Sequence, residues 1–130
     1  MLNRAWAAGS GVAMLLVLAS CAHPARVSAT LDISRRAPDT VLVALRITNL
    51  DDGVTTPLAP EVTIQSRTAG VWDKPTTQIQ PVAFVLNKHE LRNITKVVHT
   101  AADLIRARVT VREQESGRIL IDQRLEKAVP

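Results

Sequence analysis

The chain has 130 residues, one cysteine, and 16 lysines and arginines against 12 aspartates and glutamates. The small basic excess is interspersed with acids, whereas a nucleic-acid footprint clusters Lys and Arg on one surface, so the charge pattern excludes a nucleic-acid partner. A single cysteine excludes an internal disulfide. One Phe, two Trp and no Tyr leave too few aromatic rings for a platform that stacks sugars or single-stranded nucleic acid.

Residues 1–20 have the three-part order of a secretory signal peptide. A short segment carrying one positive charge, Arg4, is followed by the apolar run 7–19 and then by the small residue Ser20. A membrane-spanning helix needs about 20 apolar residues, and this run is shorter and is interrupted at Gly9, Ser10 and Gly11. The pattern therefore favours a cleaved signal over a transmembrane anchor.

The signal peptide ends in Leu18, Ala19, Ser20 and Cys21. This motif resembles the lipobox of bacterial lipoproteins. The resemblance implies cleavage before Cys21 and acylation of that cysteine by chains such as palmitate, so that a lipid bilayer becomes the first partner of the protein. Ala22, in place of the aspartate that resembles an inner-membrane retention signal, implies an outer-membrane lipoprotein that faces the periplasm. In an organism with one membrane, the site would be the cell membrane.

The lipobox divides the chain into three parts. Residues 1–20 are the predicted signal peptide, 21–26 are the lipidated N-terminus with a short tether, and 27–127 are the predicted folded domain. Because Arg4 is the only charged residue before the cut, 15 of the 16 basic residues and all 12 acids remain in the mature protein. Its length suffices for one domain with its own core.

In the first half of the domain, apolar and polar residues alternate with a period of two, a pattern that predicts strands. Residues 26–34 alternate in this way, and a break follows at 35–39. Residues 40–48 form the strongest predicted strand, with one apolar face made by Val41, Val43, Leu45 and Ile47. Residues 49–53 have turn composition, and Pro57 and Pro60 predict a loop that cannot lie in a central strand.

The middle of the domain predicts shorter elements. Residues 61–67 and 71–72 are short strands, and Pro81 makes 76–86 an edge strand or two short pieces. Residues 87–100 fit two structures, because Leu91, Ile94, Val98 and Ala101 have helical spacing while the β-branched content favours a strand. We favour a turn at 87–90 followed by a strand, because the rest of the domain is β.

Residues 104–114 and 119–126 predict a β-hairpin. A two-residue turn would place Val111 opposite Asp122 and bury a charge, whereas a three-residue loop at 115–117 places Val111 opposite Ile121. A shift of one residue exchanges the two faces of a strand, so the apolar pattern selects the longer loop. Gly117 then takes the left-handed position of the turn.

Short strands at this spacing, joined by turns rich in Gly, Pro and Asp, predict an all-β domain of about seven strands. The length and rhythm resemble a single immunoglobulin-like or fibronectin type III-like β-sandwich. Two hallmarks of antibody domains are absent from the sequence, the Cys–Trp–Cys core and the tyrosine corner. The resemblance therefore implies the sandwich architecture and no particular activity.

The hairpin carries the most specific candidate for a binding site. Arg106, Arg108 and Arg112 alternate with the apolar residues of one strand, and the predicted register places Arg124 of the next strand near Arg108. These arginines form a candidate partner-docking face for an acidic surface. The competing interpretation is a solvated face whose charge is balanced by Asp122, Glu113 and Glu126.

No pattern predicts catalysis, a metal site or a cofactor. The three histidines, His23, His89 and His99, are too scattered for a tight metal site. The Asp51-Asp52-Gly53 segment is typical of a turn rather than of a calcium loop. A Gly-x-Ser-x-Gly motif is absent, and Cys21 is committed to lipid. We therefore expect a protein that is not an enzyme and has no cofactor.

The expected function is that of a membrane-anchored periplasmic lipoprotein that binds a protein partner as an accessory or assembly factor of an envelope system. Two other functions stay open at this stage. The protein could bind a small ligand or a metal, or it could be a purely structural envelope lipoprotein.

Overall fold

The computed structural model describes residues 24–130, and within them the alternating apolar residues fold into eight strands and no helix. In chain order the strands are β1 (Val27–Ala37), β2 (Thr40–Asn49), β3 (Leu58–Thr68), β4 (Val71–Trp72), β5 (Thr76–Ile79), β6 (Leu91–His99), β7 (Leu104–Glu113) and β8 (Ile119–Ala128). The all-β prediction is confirmed, with eight strands where about seven were expected. The predicted signal peptide, the lipobox and Cys21 lie outside the described residues.

The strands form two antiparallel sheets that pack face to face as an immunoglobulin-like sandwich. One sheet has three strands in the order β1-β2-β6. The other has five strands in the order β8-β7-β3-β4, with β5 also paired to β3. The chain changes sheets after β2, β5 and β6, as expected of a sandwich rather than of a single meander. Within the described residues, no helix is long and apolar enough to cross a membrane.

The core lies between the sheets and is built from aliphatic side chains. The inward face predicted for β2 is fully buried, and the alternate residues of β7 face it from the other sheet. Burying one such side chain contributes about 1.5–3 kcal/mol, so these two central strands supply much of the stabilisation. The buried residues of the two strands are Val41, Val43, Leu45, Ile47, Ile105, Ala107, Val109 and Val111.

The predicted hairpin register is confirmed. Val111 pairs with Ile121, and Val109 pairs with Gln123. The turn is closed by a hydrogen bond from the Gly117 amide to the Glu113 carbonyl at 2.9 Å, and Gly117 has a φ of 72°, in the left-handed region. The loop itself is longer than predicted, because the Glu113 amide donates to the Arg118 carbonyl at 2.9 Å and leaves residues 114–117 in the loop, where 115–117 were expected. A bulge between Ile119 and Ile121 restores the predicted register. The apolar pattern therefore selected the register of the two strands but not the length of the loop.

The segment with two possible structures is a strand. The amide of Glu90 donates to the carbonyl of Asn87 at 3.0 Å, which forms the expected turn, and β6 follows from Leu91 to His99. Its register places Ile94 opposite Leu45 and Val98 opposite Val41. Pairing with β2 therefore decided the structure of this segment, in favour of its β-branched content.

Pro60 does not lie in a loop, as the sequence predicted, but within central strand β3, where it is buried opposite Val111. The backbone of Leu58 exchanges hydrogen bonds with Phe84 at 2.7 and 3.0 Å. Because backbone direction alternates along a strand, the nitrogen of Pro60 points to the same side as Leu58, away from β7. There it meets residues 80–83, which form no strand pair with β3. The lack of an N–H group at Pro60 therefore breaks no hydrogen bond between β3 and a neighbouring strand.

The expected break at 35–39 is wrong by three residues, since β1 continues to Ala37. Arg35 stays paired with Val41 of β2, and the register shifts only between Arg35 and Ala37. The side chain of Arg35 adds hydrogen bonds to distant parts of the chain. Its guanidinium donates to the carbonyls of Val129 at 3.1 Å and Thr100 at 3.0 Å, and also to that of Ala102. Charge-assisted bonds of this kind are stronger than neutral ones. Arg35 thus joins β1, the 99–103 connection and the C-terminal end of the domain.

We predict that residues 22–130 fold without lipid, metal or disulfide, because the aliphatic core is of the size that about 100 residues can use to fold. The purified segment should unfold in one cooperative thermal transition. The midpoint should be the same with and without a chelator, as measured by circular dichroism. A midpoint that falls when the chelator is added would show that a metal contributes to the fold.

Candidate functional site

The structure brings the four predicted arginines together on the outer face of the five-stranded sheet. Arg106, Arg108 and Arg112 alternate along β7 with buried residues, and all three are exposed. Arg124 on β8 is also exposed and lies directly opposite Arg108 in the register. We call this set the basic face.

Two of the four arginines are paired with acids of the neighbouring strand. Arg108 binds Asp122 through two parallel hydrogen bonds of 2.9 and 2.8 Å, and Arg106 lies 3.1 Å from Glu126. The hydrogen bond and charge of Arg108 hold the pKa of Asp122 below its ordinary value, and Asp122 raises the pKa of Arg108. These pairs are about half exposed, so each contributes little to stability.

The other two arginines, Arg112 and Arg124, make no direct ion pair or side-chain hydrogen bond with any residue that the structure describes. Both reach Asp122 only through longer-range attraction. Arg124 also faces the like charge of Arg108, an arrangement that destabilises a strand pair. Asp122 and Glu126 are the acids in direct contact with the face, and Glu61 of β3 adds a longer-range attraction to Arg108. Four arginines against these three acids leave the basic face with an excess of positive charge.

Glu113 was considered as a third balancing acid, and the structure excludes that role. It occupies an inward position of β7, and its side chain is 8% exposed. Its carboxylate accepts hydrogen bonds from the hydroxyls of Thr56 at 2.9 Å and Ser116 at 3.0 Å, and Arg118 lies 3.9 Å away. The carboxylate thus fastens the 50–56 loop to the hairpin turn and leaves the basic face unbalanced.

Trp72 is part of this surface, and sequence reasoning missed it. The guanidinium of Arg106 lies 3.9 Å from the centre of the Trp72 ring, and that of Arg67 lies 5.8 Å from it. Such stacking holds an arginine in place. The contact follows from the pairing of Trp72 with Arg67 across the β3–β4 turn, so a predicted register for that turn could have found it.

A shallow depression of about 420 Å³ lies on the basic face. Arg106, Arg108 and Arg124 line it together with the polar side chains of Thr63 and Gln65. Guanidinium groups bind carboxylates in a planar, two-point geometry. The depression is therefore suited to an acidic side chain that projects from a protein surface.

The described residues contain no group of three or more His, Cys, Asp or Glu that could hold a metal ion. His89 lies 3.1 Å from Asp52, and His99 ends strand β6. His23 lies outside the described residues. The segment Asp51-Asp52-Gly53 forms a bend between β2 and β3, held by the buried side chain of Asn49, which donates to the Gly53 carbonyl at 2.7 Å.

No protein-family model matches the chain, and no curated protein is similar to it in sequence. Among solved structures, the fold is similar to a Bordetella pertussis protein assigned as ApaA, with a TM-score of 0.58 and 13% identity over 82% of this chain and 96% of that one. It is also similar to part of the Pseudomonas fluorescens alkylpurine DNA glycosylase AlkC, with a TM-score of 0.53 and 14% identity. A third similarity is to part of a Bacteroides uniformis beta-glucuronidase, with a TM-score of 0.51 and 13% identity.

These similarities define the class of the domain and nothing narrower. The chain covers only 33% of the glycosylase and 13% of the glucuronidase, while 85% and 78% of this chain is matched. The part shared with each protein is therefore one β-sandwich. At this level of identity the similarity shows the fold alone.

We predict that Glu113→Gln destabilises the domain by about 2 kcal/mol at pH 7, the value typical of hydrogen bonds to a charged group. Burial raises the pKa of Glu113, but its hydrogen bonds outweigh that effect, so the pKa lies below its ordinary value. The difference in unfolding free energy between the wild type and the variant should thus be complete above about pH 4.3, the ordinary pKa of a glutamate. It should disappear as the pH falls through the pKa of Glu113 in the folded state.

Denaturant melts from pH 7 to pH 3 measure this difference. Glu115→Gln is the matched control, because Glu115 is exposed in the same turn and its replacement should leave stability unchanged at every pH. An effect of Glu113→Gln that stays constant down to pH 3 would contradict the ionic origin of the stabilisation.

Proposed function

We propose that the protein is a lipid-anchored, non-catalytic binding protein of the bacterial envelope. Acylated Cys21 would hold it at the outer membrane, or at the cell membrane where there is only one, with the domain in the periplasm. The basic face would dock an acidic surface of a protein partner. The protein would thereby act as an accessory or assembly factor of an envelope system.

The observation that carries this proposal is the incomplete neutralisation of the basic face. Arg108 and Arg106 already have acidic neighbours at 2.8 and 3.1 Å, whereas Arg112 and Arg124 have none in direct contact within the described chain. A protein surface that supplies carboxylates would relieve the repulsion between Arg108 and Arg124. Complementary charge of this kind favours encounter rate and specificity more than affinity.

The geometry of the tether is consistent with this docking. Arg26 is fastened to Asp51 by its side-chain Nε at 2.7 Å and by its backbone amide at 3.1 Å. The chain thus leaves the sandwich beside the 50–53 bend, and the tether from Cys21 to Arg26 spans at most about 20 Å. The 50–53 end would face the membrane, while the basic face on the side of the sandwich would stay accessible.

Lipidation should depend on Cys21. We expect Cys21→Ser to accumulate as the uncut precursor without the mass of acyl chains, because the thiol is the acceptor in a lipobox. Intact-mass spectrometry of membrane fractions measures both effects, and Ser20→Ala, which keeps a small residue before the cut, is the matched control. Normally cut, membrane-retained protein in the Cys21→Ser strain would contradict the anchor.

Partner capture should depend on the two unneutralised arginines. We expect Arg112→Gln with Arg124→Gln to lower the yield of a partner cross-linked in intact cells and to leave the melting temperature equal or higher, since a like-charge contact is removed. Wild-type capture should weaken as salt rises, because exposed charges are screened beyond about 8 Å at physiological ionic strength. The double variant should lose most of that salt dependence.

The matched control is Arg36→Gln with Lys88→Gln, which removes the same charge from exposed positions outside the basic face. Capture by this control should equal that of the wild type. If the Arg112 and Arg124 variant captures partner at the wild-type level, the face is only solvated, and the contact surface lies elsewhere.

A further inference from the structure

The sandwich is closed along one side and open along the other. On the closed side, Lys127 of β8 lies 3.1 Å from Asp32 of β1, and Arg35 reaches the carbonyl of Val129. On the open side, the part of β6 from Arg92 to Lys96 lies across from the four-residue strand β5 and the segment that follows it. A cleft of about 650 Å³ lies there between the two sheets.

The edge strand β6 presents an unpaired backbone to this opening. Glu90 accepts a hydrogen bond from Asn49, and Thr100 donates one to Asp39, both at 2.8 Å. Because backbone direction alternates along a strand, the N–H and C=O groups of the even-numbered residues of β6 point toward β2. Those of the odd-numbered residues point away from β2, to the free edge. Within the described chain, no strand pairs with the outward groups of Leu91, Asn93, Thr95, Val97 and His99.

The inner face of β6 is basic where a core strand would be apolar. Arg92 and Lys96 lie opposite the fully buried Ile47 and Val43 of β2, and both line the cleft. Arg92 lies 4.3 Å from the centre of the Phe84 ring, and Ile94 sits between the two cations. Of the described residues that line the cleft, none is Asp or Glu.

We propose that an extended segment of a partner protein adds to the edge of β6 as a further strand. Its inward side chains would be acidic opposite Arg92 and Lys96 and apolar opposite Ile94. Only a polypeptide strand offers donors and acceptors at the repeat of about 6.8 Å that the free edge presents. The site is separate from the basic face and does not depend on it.

Charge favours an acidic partner segment over a second copy of this chain. Two β6 strands paired antiparallel about Ile94 would place Arg92 of one copy opposite Lys96 of the other, and like charges in that position repel. In the register about Thr95, Lys96 would lie opposite Ile94, so a second copy gives neither cation an acidic partner, whereas an acidic segment supplies one to each. The competing explanation is that inward-pointing cations only protect a free edge from aggregation. That explanation requires every added strand to be rejected, including an acidic one.

The test uses the whole 130-residue chain in detergent and two synthetic nine-residue peptides. In the first peptide, Glu, Val and Glu occupy alternate central positions and Thr fills the rest, while the second has Lys in place of Glu. We expect the acidic peptide to protect the amides of Asn93, Thr95 and Val97 from hydrogen exchange and to bind at least tenfold more tightly than the basic one. Equal binding, or no protection of these amides, would overturn the proposal.

Two variants separate backbone pairing from charge. Thr95→Pro removes an outward N–H but no bond to β2, so it should abolish peptide binding with little change in melting temperature, whereas Thr95→Val should bind normally. Arg92→Gln with Lys96→Gln should weaken the acidic peptide by about two- to fivefold per lost pair. Unchanged binding to a folded Thr95→Pro variant would refute strand addition. If Thr95→Pro does not fold, the Arg92→Gln and Lys96→Gln variant decides, and unchanged binding of the acidic peptide to it would refute the proposal.

Two further outcomes are decisive. A concentration-dependent dimer that Thr95→Pro abolishes would identify a second copy as the occupant and overturn the proposal. Peptide binding that persists in the Arg112→Gln and Arg124→Gln variant would support a separate site. Docking on the basic face can thus be disproved while strand addition at β6 is supported. Strand addition can likewise be disproved while docking on the basic face is supported.

Discussion

The structure depends on the mutual burial of two aliphatic sheet faces of unequal width. Neither a disulfide nor a large aromatic cluster is present in the sequence, so the inward Val, Leu and Ile of β2, β3 and β7 must supply the stabilisation, at about 25 cal/mol per Å² removed from water. Across from β6, the larger sheet offers only the four-residue strand β5 and the segment that follows it. The inward positions of β6 there include Arg92 and Lys96, which tolerate the water that reaches them. The open cleft and its charge both follow from this short cover.

Buried polar groups close the two ends of this sandwich. At one end the half-buried Arg35 donates hydrogen bonds to the carbonyl of Val129, which follows the last strand, and to that of Thr100 in the β6–β7 connection. At the other end the buried amide of Asn49 donates to Gly53 and Asn87 at 2.7 and 2.9 Å, while Glu113 holds Thr56. Each group is costly to bury unless its hydrogen bonds are made. These residues therefore fix the connections, while the aliphatic core alone would leave the loops free.

Period-2 alternation in the sequence was enough to predict most strands, the inner faces of β2 and β7 and the register of the last hairpin, because these features depend on local pattern and on the burial of charge. The wrong predictions concern positions whose structure depends on residues that are distant in the sequence. Pro60 fits a central strand because residues 80–83 make no pair beside it. The strand β1 extends past the predicted break to where the side chain of Arg35 binds carbonyls from distant parts of the chain. The basic face was predicted from alternation, but the contact with Trp72 depends on a register that the sequence left open.

The two candidate surfaces differ in what a partner must bring. On the basic face, Arg106 is held by Trp72 and Arg108 by Asp122, so these side chains are ordered before binding and a rigid acidic surface can meet them at low entropic cost. A flexible segment that binds at β6 becomes ordered only when it binds. Its backbone hydrogen bonds must therefore offset the conformational entropy that it loses. The basic face thus suits a folded partner and the β6 edge suits a flexible one. A single partner with an acidic folded surface and a flexible acidic tail could occupy both, and the effective concentration of the tail would then make a weak strand pairing sufficient.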